Sequence, residues 1–317
     1  MKRAAILKSA LVINALMWAA QPASALDCRN VELISAWGVG GGTDTFLRTL
    51  AEPLSQELGV PVKVINIEGA MGEVARQELM SRPADGCSLV SVDPDVLTTE
   101  LEGQTEVSLI TDLKPVFRGH VDIGIIHGKA GDFDSWDALI KWASDNPAKL
   151  NAGGTGAAGL DRTAIEITLR EAGVEEFNYV PYNKAAEMHA DLLGGRLHAM
   201  YDELSSVGGM VEAGQITPLI VINDKRLDVL PDTPAAGELG YVVAPSNWRG
   251  LAVQAEVADE IVAELSAVLM KATEAPSYRE YESKRLLDLK ADGKLGADDF
   301  KKAVAEEYEL KKQKLSN

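Results

Sequence analysis

Short apolar runs rich in β-branched residues alternate with segments of helical period from the start of the chain's folded part. The runs 31–37, 60–67 and 88–92 are separated by helical patterns at 44–58 and 73–81. Strands that are apolar on both faces belong in a parallel sheet covered by helices, and right-handed crossovers place them in one open layer. The alternation therefore predicts an α/β lobe.

A second unit of the same kind follows, and its strands and helices alternate in the same way. Its predicted elements are strand 121–127, helix 136–145, a glycine-rich turn from Gly153 to Gly159, helix 161–172, and strands 177–180, 197–201 and 218–222. From Leu251 onward the pattern is helical, with Ile261, Leu265 and Leu269 at three- and four-residue spacing. We expect this C-terminal part to pack on the first lobe, so that the chain crosses between lobes twice.

The first 25 residues differ from the rest. Lys2, Arg3 and Lys8 precede an apolar stretch at 10–20, and Ala23-Ser24-Ala25 follows it. A basic start, a short apolar stretch and small residues are typical of a cleavable secretory signal. The stretch is shorter than the roughly 20 residues that span a bilayer. We therefore predict a signal peptide at 1–25 and a periplasmic protein.

Charge and residue counts exclude several classes of function. The chain has 317 residues with 31 Lys and Arg against 48 Asp and Glu, a net charge of −17, which disfavours nucleic acid and anionic membrane surfaces as partners. Two cysteines and four histidines do not provide a zinc site of the usual Cys/His spacing. We expect neither a metal nor an organic cofactor.

Two glycine-rich segments each run into a predicted helix. The first is Trp37-Gly38-Val39-Gly40-Gly41-Gly42-Thr43-Asp44, and the second covers 151–159. Glycine permits close approach of a ligand to the backbone, and the first amides of a helix attract an anion. A tight connection without a ligand is the alternative for either segment. Two such segments on separate lobes favour an anion site in the cleft between them.

Nucleotide binding is a second interpretation of the first segment. Gly38-Val39-Gly40 begins a dinucleotide pattern and Glu68 stands where its ribose-binding acid is expected, but Thr43 replaces the third glycine. No lysine follows Gly42, so a P-loop has weak support. A periplasmic enzyme is the other alternative, although the serine elbow motif of hydrolases is absent.

The chain resembles the extracytoplasmic receptors of the tripartite tricarboxylate transporter family, also called Bug-type receptors. The motifs that carry the resemblance are Gly40-Gly41-Gly42-Thr43-Asp44, Glu68-Gly69-Ala70-Met71-Gly72, Pro83-Ala84-Asp85-Gly86-Cys87-Ser88-Leu89, Gly153-Gly154-Thr155-Gly156, Val180-Pro181-Tyr182 and Asp191-Leu192-Leu193-Gly194-Gly195. The resemblance implies a two-lobed periplasmic binding protein of type II-like architecture, in which each lobe is an open, mostly parallel sheet flanked by helices. Residues 26–125 with 248–317 would form lobe 1, and 126–247 lobe 2.

The resemblance also implies a function. Such receptors capture a small organic di- or tricarboxylate in the cleft and deliver it to the membrane permease subunits of a tripartite transporter, and we expect a monomer without enzymatic activity. The ligand-binding residues expected from it and from the glycine segments are Trp37, Gly38, Val39, Gly40, Gly41, Gly42, Thr43, Asp93, Gly154, Thr155, Gly156, Ala157, Tyr182, Asp202 and Arg249.

Three residues of this set have an alternative role. A guanidinium such as that of Arg249 can bind a carboxylate bidentately or form a salt bridge near the hinge. Asp202 is either a ligand contact or a helix cap, and Tyr182 reaches the cleft or packs under the loop. Val39 and Trp37 stand where relatives have other residues, and they predict an apolar pocket floor. Asp44 is expected to cap the first helix.

The two cysteines are candidates for a disulfide. If the first three strands take the order 2-1-3 usual for such lobes, Cys28 and Cys87 lie at the same edge of neighbouring strands. Two buried free thiols are the alternative.

Overall fold

The computed structural model describes residues 26–157, 159–289 and 293–315, and the predicted signal peptide at 1–25 lies outside this part of the chain. The strands are β1 (Val31–Ser35), β2 (Val62–Asn66), β3 (Ser88–Val92), β4 (Leu113–Asp122), β5 (Gly124–Lys129), β6 (Asn151–Thr155), β7 (Asn178–Tyr182), β8 (Ala199–Glu203), β9 (Ile216–Val221), β10 (Asn247–Gln254) and β11 (Leu295–Gly296). The helices are α1 (Gly42–Leu58), α2 (Glu73–Met80), α3 (Pro94–Leu101), α4 (Trp136–Asp145), α5 (Leu160–Glu171), α6 (Ala185–Leu193), α7 (Leu204–Glu212), α8 (Asp259–Ala272), α9 (Pro276–Lys284) and α10 (Ala297–Leu315). These helices and strands form two α/β lobes.

The first lobe is built on a sheet with the strand order β11-β4-β10-β3-β1-β2. The predicted order 2-1-3 is confirmed, since β1 pairs in parallel with both β2 and β3. Strand β10 runs antiparallel to β3 and β4. The chain returns from the second lobe beside the point where β4 ends, since Asn247 of β10 pairs with Asp122 of β4. Strand β10 therefore runs in the direction opposite to β4. The sheet is therefore mixed: β1, β2, β3 and β4 run in one direction, and β10 and β11 run in the other.

The second lobe is built on a sheet with the order β7-β6-β8-β5-β9. Strand β6 is parallel to β7 and β8, whereas β5 is antiparallel to β8 and β9. This sheet is also mixed, for the same reason, because β5 begins where the chain leaves the first lobe. The chain passes between the sheets at Ile123 and again in the segment 222–246.

The C-terminal helices complete the core of the first lobe. On one face of the first sheet, Leu265 and Leu269 of α8 pack with Leu33 and Phe46. On the other face, Phe300 of α10 belongs to the cluster that includes the side chains of β3. The chain also approaches the second lobe a third time, where Leu286 and Leu289 pack on Ile123 and Leu204.

Two local predictions are wrong. The helical pattern expected from Leu251 begins only at α8, because residues 247–254 form the crossover strand β10. The second glycine segment is not a turn from its start, since Gly153, Gly154 and Thr155 belong to β6. Glycine is required there by packing: a Cβ on Gly153 would lie 2.5 Å from Leu197 Cδ1.

Cys28 and Cys87 form a disulfide, with their Cα atoms 5.6 Å apart. It joins the segments that precede β1 and β3, which are neighbouring parallel strands. The bond closes a separation of 59 residues. In the part of the chain that the structure covers, the helices are too short or too polar to cross a lipid bilayer.

Candidate functional site

The first glycine segment connects β1 to α1 and turns back on itself. Gly40 has a φ of 84°, which favours glycine, and its N–H donates to Asp44 Oδ2 at 2.9 Å. Burial alone would raise the pKa of Asp44, but hydrogen bonds from Arg48, Gly40 and Asn66 lower it. The ionised Asp44, which lies in the first turn of α1, therefore holds the loop that precedes the helix. The prediction that Asp44 caps α1 is wrong, because the cap position is Gly41.

The N-terminus of α1 lies open beside a guanidinium group. Gly41 caps the helix without a side-chain hydrogen bond. Within the described residues, the amides of Gly42 and Thr43 have no acceptor. A Cβ on Gly42 would lie 2.6 Å from Arg249 Nη2, so the guanidinium stands directly against this glycine. Unpaired helix amides and a fixed cation together form an environment for a carboxylate.

Arg249 is held by acidic side chains from the places where the chain crosses between lobes. Its Nη1 lies 3.1 Å from Asp122 Oδ2, at the end of β4, and its Nη2 lies 3.8 Å from Glu203 Oε2, at the end of β8. Burial alone would lower the pKa of Arg249, but Glu203 and Asp122 raise it. The guanidinium is therefore charged and fixed in position. The two alternatives for Arg249 are not exclusive, because it is salt-bridged and also faces α1.

The lobes meet at the N-terminus of α3. Asp93 caps this helix by accepting from the N–H of Asp95 at 3.0 Å, and it also accepts from Trp37 Nε1. Asp95 Oδ1 accepts from the N–H of Leu160, the first residue of α5, at 3.0 Å. A first-lobe carboxylate therefore caps a second-lobe helix whose own cap residue, Gly159, provides no side chain.

The second glycine segment has its donors occupied by the protein itself. The N–H and Oγ1 of Thr155 both donate to Asp161 Oδ2 at 2.7 Å. The N–H of Gly156 donates to the carbonyl of Tyr182 at 2.9 Å. Gly154 accommodates a neighbour, since a Cβ there would lie 2.7 Å from Tyr179 Oη. The expected second anion site is thus filled by internal acceptors at Thr155 and Gly156.

Asp95 and Asp161 titrate far above their usual range. Burial raises the pKa of Asp95 to about 8, and the neighbouring Asp93 and Asp161 add to the rise. Burial likewise raises the pKa of Asp161 to about 7, against hydrogen bonds from Thr155 that lower it. Raised carboxyl pKa values in a cleft are typical of functional sites.

Two expected residues point their polar atoms toward α6. Tyr182 Oη donates to Asp191 Oδ2 at 2.8 Å. Asp202 Oδ2 lies 2.6 Å from Nε2 of His189, and Asp202 Oδ1 accepts from the N–H of Glu203. In this structure the hydroxyl of Tyr182 and the carboxylate of Asp202 are paired outside the group formed by α1, α3 and Arg249.

The remaining expected residues lie around the rim. Val39 is 75% exposed, so it does not form a buried pocket floor. Gly38 packs against Glu68, whose Oε1 would lie 3.1 Å from a Cβ on that glycine. The carbonyl of Ala157 accepts from Arg162 Nη1 at 3.1 Å.

The structure thus brings Trp37, Gly42, Thr43, Asp93 and Arg249 to one cleft. Sequence reasoning missed the acidic side chains that face them, which are Asp95, Asp122, Asp161 and Glu203. Asp95 follows a cap residue, but its contact with the N–H of Leu160 joins the two lobes across 65 positions of the sequence. Asp161 stands at a helix start and accepts from Thr155 in its own lobe. Among the described residues, His, Cys, Asp and Glu form no group of three able to hold a metal ion.

Two mixed α/β lobes joined by crossing strands, with charged side chains where they meet, have the fold of solved periplasmic solute-binding proteins. The model of the tripartite tricarboxylate transporter family receptor matches residues 46–314. The chain therefore belongs to this family of receptors.

Individual relatives agree with the family assignment. Protein BugT of Bordetella pertussis is 30% identical over 221 residues, which cover 67% of this chain and 66% of BugT. An R. palustris protein solved with adipate superposes with a TM-score of 0.78 at 25% identity, over 90% of this chain and 95% of that protein. MatC from Rhodopseudomonas palustris, solved with malate, gives a TM-score of 0.77 at 20% identity, over 90% of this chain and 98% of MatC. The likeness to MatC concerns the fold.

Proposed function

We propose that this receptor captures a small organic carboxylate in the cleft between its lobes and delivers it to the membrane permease of a tripartite tricarboxylate-type transporter. The protein acts in the periplasm as a monomer, and it releases its ligand unchanged. We place the lobe boundaries where the chain crosses between the sheets, at Ile123 and in the segment 222–246, close to the expected boundaries at 125/126 and 247/248. Closure of the lobes around the ligand is the signal that the permease recognises.

The observation that carries this proposal is the contact between Arg249 and the start of α1. The guanidinium stands against Gly42, and the amides of Gly42 and Thr43 have no acceptor among the described residues. A carboxylate placed there accepts from main-chain amides and from a fixed cation in a partly dehydrated cleft, where such hydrogen bonds are strong. The net negative charge of the protein does not prevent this, because distant surface charges are screened within about 8 to 10 Å.

The relatives support the same class of ligand. Adipate and malate, present in two of the similar structures, are both small carboxylates. Both are dicarboxylates, which agrees with the di- or tricarboxylate expected from the sequence. Transfer to a permease rests on the family to which residues 46–314 belong.

A thermal-shift screen of the mature protein tests the proposal. The panel contains mono-, di- and tricarboxylates, amino acids and NAD. A ligand that binds only the folded state raises the melting temperature, by an amount that grows with its concentration above Kd. We expect shifts confined to compounds with a carboxylate. A shift for NAD with none for the carboxylates would replace the proposal by the nucleotide-binding interpretation of the first glycine segment.

A further inference from the structure

The wall of the cleft that faces Arg249 is rich in hydrogen-bond acceptors. It contains the carboxylates of Asp95, Asp161 and Glu203, contributed by α3, α5 and the end of β8. Asp95 Oδ1 and Asp161 Oδ2 accept from main-chain amides. Their other oxygens, Asp95 Oδ2 and Asp161 Oδ1, receive no hydrogen bond from any described residue, and both side chains are half-buried. This wall therefore offers acceptors to a ligand.

A buried hydroxyl next to this wall also lacks a partner. Tyr201 is fully buried, and its Oη makes no hydrogen bond within the described residues. The hydroxyl packs over Gly124 at the boundary between the lobes, where a Cβ would lie 2.1 Å from it. Glu203, Asp161 and Asp122 are close enough to influence its titration. Buried hydroxyl groups are nearly always hydrogen-bonded, so an unpaired one beside carboxylates indicates a polar site that a ligand completes.

Three main-chain donors at this end of the cleft are already occupied. The N–H of Thr155, the N–H of Gly156 and the N–H of Leu160 are all donated to acceptors of the protein. Arg249 already pairs with Asp122 and faces Glu203. The positive charge of Lys311 also acts on Asp95, but its ammonium group donates to the carbonyl of Pro94 and to Thr98 Oγ1. Because the pKa values of Asp95 and Asp161 are about 8 and about 7, a second ligand carboxylate meets two like charges at this wall above pH 8. A protonated amine favours the ionised form of both carboxyl groups and is attracted.

We propose that the cleft selects a zwitterion, with its carboxylate at the start of α1 beside Arg249 and an ammonium group against Asp161 and Asp95. This inference rests on the proposed function and narrows its ligand class. Asp161 and Asp95 are then the residues that determine specificity, because they reject a second carboxylate and pair with the amine. Glu203 is a third acidic group of this wall, but its Oε1 already accepts a hydrogen bond from Asn247 at 2.6 Å.

Matched ligand pairs test the inference by calorimetry at pH 8.5, above the pKa of about 8 for Asp95 and of about 7 for Asp161. Each pair has one carboxylate in common and differs at the other end: 3-aminopropionate against succinate, 4-aminobutyrate against glutarate, and 5-aminopentanoate against adipate. In the pair whose length fits the cleft, we expect the amino acid to bind at least tenfold more tightly than the diacid. A diacid that binds as tightly as its amino acid, or more tightly, overturns the inference and leaves the proposed function standing.

Two variants test whether Asp95 and Asp161 cause the preference for an amino acid over a diacid. Asp95→Asn and Asp161→Asn keep an oxygen that accepts from the neighbouring amide and remove the charge. Each should reduce the amino-acid-to-diacid affinity ratio at least threefold, while Asp134→Asn, a change of the same charge at an exposed position outside the cleft, should leave it unchanged. A ratio that stays the same in both wall variants refutes the assignment. A panel in which no carboxylate binds, with or without an amine, overturns the proposed function and the inference together.

Discussion

The substitution Gly42→Ala tests the carboxylate site at a single carbon atom. The new Cβ would lie 2.6 Å from Arg249 Nη2 and 2.9 Å from its Cζ, whereas ordinary contacts begin at 3.4 Å. The guanidinium must therefore move by about 0.8 Å, estimated from the difference between these distances. It cannot move freely, because it is buried and held by Asp122 at 3.1 Å.

The loss of affinity follows from the contact that is displaced. A hydrogen bond to a charged group contributes about 1.5 to 3 kcal/mol, so that its loss weakens binding by roughly 10- to 100-fold. Isothermal titration calorimetry with the tightest carboxylate of the screen measures the change. Helix stability should not fall, since alanine is favoured over glycine in a helix by up to about 1 kcal/mol.

The matched control is Gly208→Ala, within helix α7. A Cβ on Gly208 would meet no atom within 4 Å, and alanine is again favoured over glycine in a helix. We expect its affinity to change less than threefold. Wild-type affinity in Gly42→Ala would refute the reasoning, and equal losses in both variants would show that the effect does not depend on Arg249.

Three further predictions concern stability. Arg249→Met should lower the free energy of unfolding by about 3 to 5 kcal/mol in urea titrations, because it leaves the carboxylate of Asp122 buried without its cation; a loss below about 1 kcal/mol would contradict the buried pair. Cys28→Ser should cost about 4 kcal/mol in the same assay through the loss of the bond to Cys87, and an unchanged midpoint would mean that the bond does not constrain the unfolded chain. The raised pKa of Asp95, about 8, means that the folded state holds the proton more tightly than the unfolded state, so stability should fall as the pH rises from about 4 to 8, by at most about 1.4 kcal/mol per unit. Asp95→Asn should flatten this dependence in thermal melts across that range, and an identical slope in the variant would place the effect elsewhere.

The α/β architecture was predictable because the first strands carry their information locally. The runs at β1, β2 and β3 are apolar and bounded by glycine or proline, and α4 was predicted with its exact bounds, Trp136–Asp145. Strand β10 was not predictable in this way. Its run from Asn247 to Gln254 is buried on both faces because it lies between β3 and β4, but it contains Arg249 and Gln254, so its sequence is not uniformly apolar. It is also followed closely by the helical pattern of α8.

The site was predictable only where one element carries it. The first glycine segment was found because its glycines, the following helix and Asp44 are contiguous. The acceptor wall was missed because Asp95 caps α5 from another lobe, a contact that depends on how the lobes meet. The glycines of β6 were interpreted as a turn, but Gly153 and Gly154 make room for Leu197 and Tyr179, and such packing leaves no signal in the local sequence.

The most direct test of the central claim is a crystal structure of the mature protein with the tightest carboxylate from the screen. We predict the ligand between the two sheets, with carboxylate oxygens within about 3 Å of the amides of Gly42 and Thr43 and of the Arg249 guanidinium. A carboxylate bound outside this cleft, or one inside it that contacts neither α1 nor Arg249, would contradict the account.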